Sequence, residues 1–142
     1  MKKILARFAV PLAAVGGMVA ATATPAAAAS DARAYCGYTY SSSLGNQRCG
    51  WSGFESEVGD GTEKLVLQDN NPDGYGVIVQ YFRYDMDATG PYSHTVTGGY
   101  GAASTWTMHM TEGTEISFRV CPYNSSYGIY TNKCGSWVSG IA

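Results

Sequence analysis

Residues 75–84 read Tyr-Gly-Val-Ile-Val-Gln-Tyr-Phe-Arg-Tyr, and this stretch decides the fold class. Its residues alternate with the period of two that places successive side chains on opposite faces of a β-strand, as Val77 and Ile78 show. Because both faces are largely apolar, we expect a strand that is buried on most of both sides. Turn signals bound it, Asn-Pro-Asp-Gly at 71–74 and Thr-Gly-Pro at 89–91.

Similar alternation recurs in other parts of the chain. The 16 glycines after residue 29, with frequent Ser, Thr, Tyr and Asn, disfavour helices. Two faces of apolar side chains favour an antiparallel β-sandwich over a barrel, with about six to eight short strands. The further segments with strand patterns are 64–68, 105–110 and 115–120, and more weakly 92–97 and 128–132. The candidate inner side chains are Leu65, Val79, Trp106 and Phe118.

The first 29 residues have the three parts of a signal peptide. Lys2, Lys3 and Arg7 precede a weakly apolar run, and small residues such as Ala27 and Ala29 follow it. We therefore expect cleavage after Ala29 and secretion of the mature chain, with a membrane anchor as the alternative. The expected organisation is a signal peptide at 1–29, a mobile mature N-terminus at 30–35 and a single β-sandwich domain at 36–142.

The charge balance restricts the partners. The chain of 142 residues has nine basic and eleven acidic side chains, a net charge of −2. Residues 1–29 hold three of the basic side chains and no acidic one, so the remaining 113 residues carry −5. Non-specific binding to nucleic acid requires clustered Lys and Arg, so we expect no nucleic-acid partner. No second apolar run is long enough to span a bilayer.

Four cysteines lie in the mature part, and an even number in a small exported chain indicates two disulfides. Twelve residues separate Cys36 from Cys49, and twelve separate Cys121 from Cys134. The two segments are also alike, since each has Tyr two positions after its first Cys and Gly directly after its second. We therefore predict local bridges Cys36–Cys49 and Cys121–Cys134, with a crossed pairing as the alternative. The wide spacing does not fit a zinc knuckle.

Few motifs point to chemistry, and we expect no cofactor. Residues Asp69, Asn71 and Asp73 match the first half of a calcium loop, but Gln80 stands where a bidentate Glu is needed. We interpret this stretch as a hairpin turn, with a calcium site as the alternative. No nucleophile elbow or His-Glu-x-x-His motif occurs, which predicts a protein that is not an enzyme. A small hydrolase that uses Glu55, Glu57 or His94 is a third reading of the sequence.

The 11 tyrosines after residue 29 are the strongest compositional feature. Tyr combined with Ser, Gly and Asn is the composition of loops that bind proteins or sugars, because Tyr buries much area with few rotors. The alternative is that these rings fill a small core. The candidate partner-binding residues are Arg33, Tyr35, Tyr38, Tyr40, Tyr123, Tyr127 and Tyr130.

Two stretches carry a resemblance to known proteins. They are the strand region Leu67-Gln68-Asp69 to Gln80-Tyr81 and the segment Ile116-Ser117-Phe118-Arg119-Val120-Cys121 with Cys134-Gly135-Ser136-Trp137. They resemble small secreted actinobacterial proteins with two disulfides, most of them hypothetical, which implies a β-sandwich and a non-catalytic role. Size, export and the two bridges are also similar to the small adaptor subunit of umbrella toxin particles. That resemblance implies a subunit that joins a repeat-bearing toxin stalk to a lectin, with residues 30–35 entering the lectin cleft.

Taken together, the sequence predicts a secreted, non-catalytic module that binds another secreted protein, as an adaptor in a toxin complex. The alternative is a secreted inhibitor of a protease or glycosidase that presents the loop Tyr38 to Gln47.

Overall fold

The computed structural model describes residues 28–56, 62–86 and 90–142. These residues form strands joined by turns, with one short 3-10 turn at Thr131–Lys133 as their helical element. The strands are β1 (Ala32–Tyr35), β2 (Tyr38–Ser41), β3 (Gly45–Arg48), β4 (Gly50–Glu55), β5 (Thr62–Asp69), β6 (Gly76–Arg83), β7 (Tyr92–Val96), β8 (Ala103–His109), β9 (Glu115–Asn124), β10 (Gly128–Ile129) and β11 (Val138–Ile141).

The strands build two antiparallel sheets that face each other. The first sheet has the order β1-β4-β5-β8. In the second sheet β9 pairs with β6, β6 pairs with β7, and both β10 and β11 pair with the free side of β9. The hairpin of β2 and β3 stands apart from both sheets. The predicted all-β antiparallel sandwich is confirmed, and the short strands around the bridged segments raise the number of strands above the six to eight expected.

The core lies between the sheets and follows the alternation in the sequence. In the second sheet the inward face of β6 and β9 includes Val79, Phe118 and Val120, all fully buried. The first sheet contributes Leu65 and Phe54, which are equally buried. Burying side chains of this size contributes about 2 kcal/mol each, which makes the contact between the sheets the main stabilising element.

The outer face of β6 is apolar because a bridged segment covers it. Ile78 is 4% exposed and lies opposite Cys121 on β9, also on the outer face. The disulfide Cys121–Cys134 brings the segment after Cys134 across this face. The Trp137 ring of that segment packs on Phe82, with ring centroids 5.2 Å apart. The outer side of residues 75–84 is therefore covered because the second disulfide holds this segment in place.

Both predicted bridges are present, Cys36–Cys49 and Cys121–Cys134, with Cα–Cα separations of 5.7 Å and 4.0 Å. Residues 1–27 of the predicted signal peptide lie outside the described residues. Within residues 28–56, 62–86 and 90–142, no helix has the length and apolar character needed to cross a bilayer.

The prediction of a mobile tail at residues 30–35 is wrong. Residues 32–35 form β1, which pairs with β4 in the first sheet, and Ala34 is 1% exposed. Ser30 exchanges two backbone hydrogen bonds with Ile141, at 2.9 and 3.1 Å. The segment is ordered because its small alternating side chains fit the core while its backbone completes the edge of the sheet.

Candidate functional site

The two bridged segments meet at one end of the sandwich. The Gly37 N–H donates to the Lys133 carbonyl oxygen over 2.7 Å, which joins the first segment to the second. The Gly135 N–H donates to Val120 over 2.8 Å and fastens the second segment to β9. The Arg48 guanidinium donates to the Cys36 carbonyl oxygen over 3.1 Å and closes the base of the hairpin. Two disulfides and these contacts hold this end as one frame.

The antiparallel topology brings tyrosines from distant parts of the chain to the same end. β5 ends there, β6 begins there, and the carboxyl end of β9 lies beside them. We call this part of the molecule the tyrosine end, and it comprises Tyr35, Tyr38, Tyr40, Tyr75, Tyr100, Tyr123, Tyr127 and Tyr130.

Two open clefts lie on the tyrosine end, with Tyr75 in the wall of both. The first cleft, of about 350 Å³, has Tyr38, Tyr40 and Tyr130 on its other walls, together with Asn and Lys side chains. The second cleft, of about 320 Å³, is bounded by Tyr100 and Tyr123 and by small polar residues. The Tyr75 ring packs edge to face on the ring of Tyr130, with centroids 4.9 Å apart. This pair forms a fixed aromatic ridge at the first cleft.

A third cleft, of about 330 Å³, lies along β1 beside both disulfides. The Arg48 guanidinium lies over the ring of Tyr35 at 5.5 Å and over the ring of Tyr38 at 5.0 Å. The Arg33 guanidinium lies 5.3 Å from the centroid of Trp51. Cation–π contacts at such distances contribute about 0.5–1 kcal/mol each at exposed sites, and they hold both arginines against the surface.

Most of the tyrosine rings at the tyrosine end are open to solvent. Tyr40, Tyr100 and Tyr127 are 73%, 62% and 82% exposed, whereas Tyr81 on β6 is 7% exposed. The alternative in which tyrosines fill the core therefore holds for Tyr81 but not for the tyrosine end. A mostly exposed ring leaves free much of the area that Tyr usually buries, which makes this end a candidate binding surface.

The structure places the predicted partner-binding residues in two groups. The sequence did not single out Tyr75 and Tyr100, because they lie in turns far from the cysteines. Only the folded topology brings them to the tyrosine end. On the tyrosine end lie Tyr35, Tyr38, Tyr40, Tyr123, Tyr127 and Tyr130, while Arg33 flanks it on β1.

The loop after β5 crosses from the first sheet to the second, so its interpretation as a hairpin turn is wrong. Acidic side chains nevertheless hold its backbone, as they do in Asx turns. The Asn71 N–H donates to Asp69 Oδ1 over 3.1 Å, and the Tyr75 N–H donates to Asp73 Oδ1 over 2.9 Å. Burial raises the pKa of Asp69 to about 6, and the nearby Asp73 charge adds to the effect.

The two described candidates for hydrolase chemistry, Glu55 and His94, lie on different sheets and do not form a pair. Glu55 is exposed at the end of β4, and Glu57 lies outside the described residues. His94 packs flat on Trp106, with ring centroids 4.2 Å apart and planes 6° apart, and its Nε2 lies 3.1 Å from the Tyr81 hydroxyl. This stack closes the edge of the sandwich between β7 and β8, which is a packing role.

The half-buried position of His94 makes stability depend on pH. Burial lowers the pKa of His94 below its ordinary value of 6.5, so the folded state favours the neutral ring. The stability that this contributes is complete above pH 6.5 and declines as the pH falls through the lowered pKa. Thermal unfolding from pH 8 to pH 5 should show wild type losing stability relative to His94→Phe, which keeps a ring on Trp106 but does not titrate. Parallel curves for the two proteins would contradict the assignment.

Comparisons of the chain with models of known families, with curated proteins and with solved structures found no match. The resemblance to secreted actinobacterial proteins therefore stays a prediction from the sequence.

Proposed function

We propose that this chain is an extracellular, non-catalytic module that binds another protein through its tyrosine end. The observation that carries the proposal is the concentration of exposed tyrosines on a frame held by two disulfides. Rigid Tyr rings give large contact areas at low entropic cost, and Tyr is enriched among the residues that dominate binding energy. A frame that is already ordered loses little further entropy when a partner docks.

The distribution of charge favours a neutral or mildly acidic patch on the partner. The exposed cations of the tyrosine end are Arg48 and Lys133. Exposed acidic side chains lie at the opposite end of the sandwich, at Asp31, Glu55, Glu112 and Glu115. Acidic groups on the partner would therefore meet less repulsion at the tyrosine end than at the other, which orients the encounter.

The finer proposal is an adaptor that bridges a toxin stalk and a lectin, and its support is the resemblance noted in the sequence. An adaptor needs two separate surfaces. At the far end of β6 from the tyrosine end, Tyr84 and Met86 are 63% and 44% exposed, which offers a second apolar contact. The resemblance implies an N-terminal segment that enters the lectin cleft, but residues 32–35 form a sheet strand. In this proposal the tyrosine end contacts the lectin instead.

Replacing two prominent rings tests the proposal. In Tyr40→Ala/Tyr127→Ala, both side chains are mostly solvated, so the unfolding free energy should change by less than about 1 kcal/mol. If each ring is a binding hot spot of about 2 kcal/mol, the partner's dissociation constant should rise about 30-fold for one ring and up to about 1,000-fold for both. The assay is affinity capture of the partner by tagged mature chain from the native culture supernatant, with mass spectrometry, followed by titration with the recovered protein.

The matched control is Tyr84→Ala, which removes a ring that is also mostly exposed, at 63%, at the other end. It should leave the partner of the tyrosine end bound, and under the adaptor proposal it should release a second protein. Equal capture by wild type and Tyr40→Ala/Tyr127→Ala would contradict the proposal, as would no capture by wild type.

A secreted hydrolase inhibitor is the second candidate, and the hairpin of β2 and β3 favours it. Its tip at 42–44 is exposed, and the disulfide Cys36–Cys49 closes its base. The Ser41 hydroxyl accepts the backbone N–H groups of Ser43 and Leu44 at 3.2 and 3.1 Å, which orders the tip as a protease-resistant loop requires. Capture of one hydrolase whose activity falls on binding, with the loss reversed by Leu44→Asp, would establish this function instead.

A further inference from the structure

Three buried oxygen atoms without a hydrogen-bond partner lie within one short loop. They are Asp69 Oδ2, Asn71 Oδ1 and Asp73 Oδ2, each closed off from solvent. In the residues that the structure describes, the other two buried side-chain oxygens of this kind, on Ser56 and Glu63, belong to separate parts of the fold. An unpaired buried polar atom is destabilising, so three in one loop indicate a missing ligand.

Hydrogen bonds fix the direction of each of these side chains. The Asn71 amide nitrogen donates to both the carbonyl oxygen and the hydroxyl of Thr39, each over 2.8 Å, so its Oδ1 must point away from the hairpin. Asp69 and Asp73 each use Oδ1 to accept a backbone N–H two residues on, which leaves Oδ2 for another group. Asp69 and Asn71 are each 1% exposed, so water reaches neither from the bulk.

We propose that the loop Asp69–Gly74 binds one calcium ion through Asp69 Oδ2, Asn71 Oδ1 and Asp73 Oδ2. Two neighbouring carboxylates and an amide oxygen at alternate positions are the hard oxygen ligands that Ca²⁺ takes. A divalent cation would satisfy all three orphan oxygens at once and would cancel the repulsion between the two carboxylates.

The chemistry of the loop selects calcium among common cations. In the described part of the chain, no three His, Cys, Asp or Glu side chains come together, and the third ligand here is an amide. Neither imidazole nor thiolate contributes, which disfavours zinc and copper. Ca²⁺ accepts an irregular set of protein oxygens such as this one better than Mg²⁺, which demands a near-ideal octahedron. We expect a dissociation constant on the order of 10⁻⁴–10⁻³ M, the range of extracellular calcium modules.

The position of the loop gives the ion a structural role. Asn71 anchors the loop to the hairpin through Thr39, and the same loop supplies Asn71, Pro72 and Gly74 to the wall of the second cleft. A bound ion would therefore fix the loop that connects both sheets and positions Tyr75. The ion site itself does not depend on the identity of any protein partner.

The test uses calcium chloride alone on the full mature chain after removal of metal with a chelator. Thermal unfolding should shift upward by about 5–10 °C at 10 mM Ca²⁺, since a ligand that binds the folded state stabilises it. The same concentration of Mg²⁺ should give less than half of that shift. Terbium provides a second measurement that does not depend on stability, because Tyr75 lies next to the site and should sensitise Tb³⁺ luminescence, which Ca²⁺ then displaces.

The decisive variants are Asp69→Asn and Asp73→Asn, which keep the acceptor for the backbone N–H but remove a charge from the site. Both should lose the calcium shift and the Tyr-sensitised luminescence. Glu112→Gln, an exposed acid at the other end, should retain both. No calcium shift in wild type up to 10 mM, or equal shifts in wild type and both Asn variants, would overturn the proposal and would indicate buried water in the loop.

Discussion

Replacement of all four cysteines by alanine is expected to leave the chain unfolded at about 37 °C. Each bridge closes a loop with a sequence separation of 13 residues, and loops of this size contribute about 3 kcal/mol each. The total of about 6 kcal/mol is comparable with the whole stability of a small domain. Circular dichroism and thermal unfolding of the purified variant would show the loss of a cooperative transition.

Variants that lack one bridge serve as the control for this experiment. Cys36→Ala/Cys49→Ala and Cys121→Ala/Cys134→Ala should each fold, with unfolding free energies about 3 kcal/mol below wild type. The second variant should also release the segment that covers the outer face of β6, and therefore expose Ile78 and Phe82. A variant without any cysteine that unfolds at the wild-type temperature would show that the two sheets hold the fold unaided.

Strands with an apolar inner face could be predicted from the sequence, and strands that use small residues could not. The alternation of side chains with a period of two predicts β5, β6, β8 and β9. β4 does not, because its buried positions include Gly50 and Ser52, and the Ser52 hydroxyl is satisfied by the Val66 carbonyl oxygen over 2.6 Å. A buried serine with a backbone partner costs little in the folded protein, but in the sequence it is indistinguishable from a solvated one.

The candidate site shows the same division between local and distant signals. The disulfide pairing followed from spacing and from the likeness of the two segments, both of which are local. The contact between these segments, from Gly37 to Lys133, joins residues that are far apart in the chain and leaves no pattern in it. Tyr75 and Tyr100 enter the site for the same reason, since the order of the strands alone decides which turns share an end.

Gly135→Ala is expected to disrupt the tyrosine end more than any other single methyl group. A Cβ on Gly135 would overlap the backbone carbonyl oxygen of Tyr35, and a backbone atom cannot rotate away as a side chain can. The two bridged segments must therefore separate, which would strain the hydrogen bond from Gly37 to Lys133. We expect a loss of about 3 kcal/mol in unfolding free energy, about 10 °C in Tm, and weaker partner binding.

Gly90→Ala is the matched control, because no atom lies within 4 Å of a Cβ built there. It should unfold within about 0.5 kcal/mol of wild type and bind the partner equally well. Hydrogen exchange separates local from global effects, because in Gly135→Ala the Gly37 amide should lose protection before the amides of β6 and β9 do. If Gly135→Ala unfolds like wild type and keeps the Gly37 amide protected, the two bridged segments are not packed backbone against backbone. The frame proposed for the tyrosine end would then be absent, and the binding proposal would lose its basis in a rigid surface.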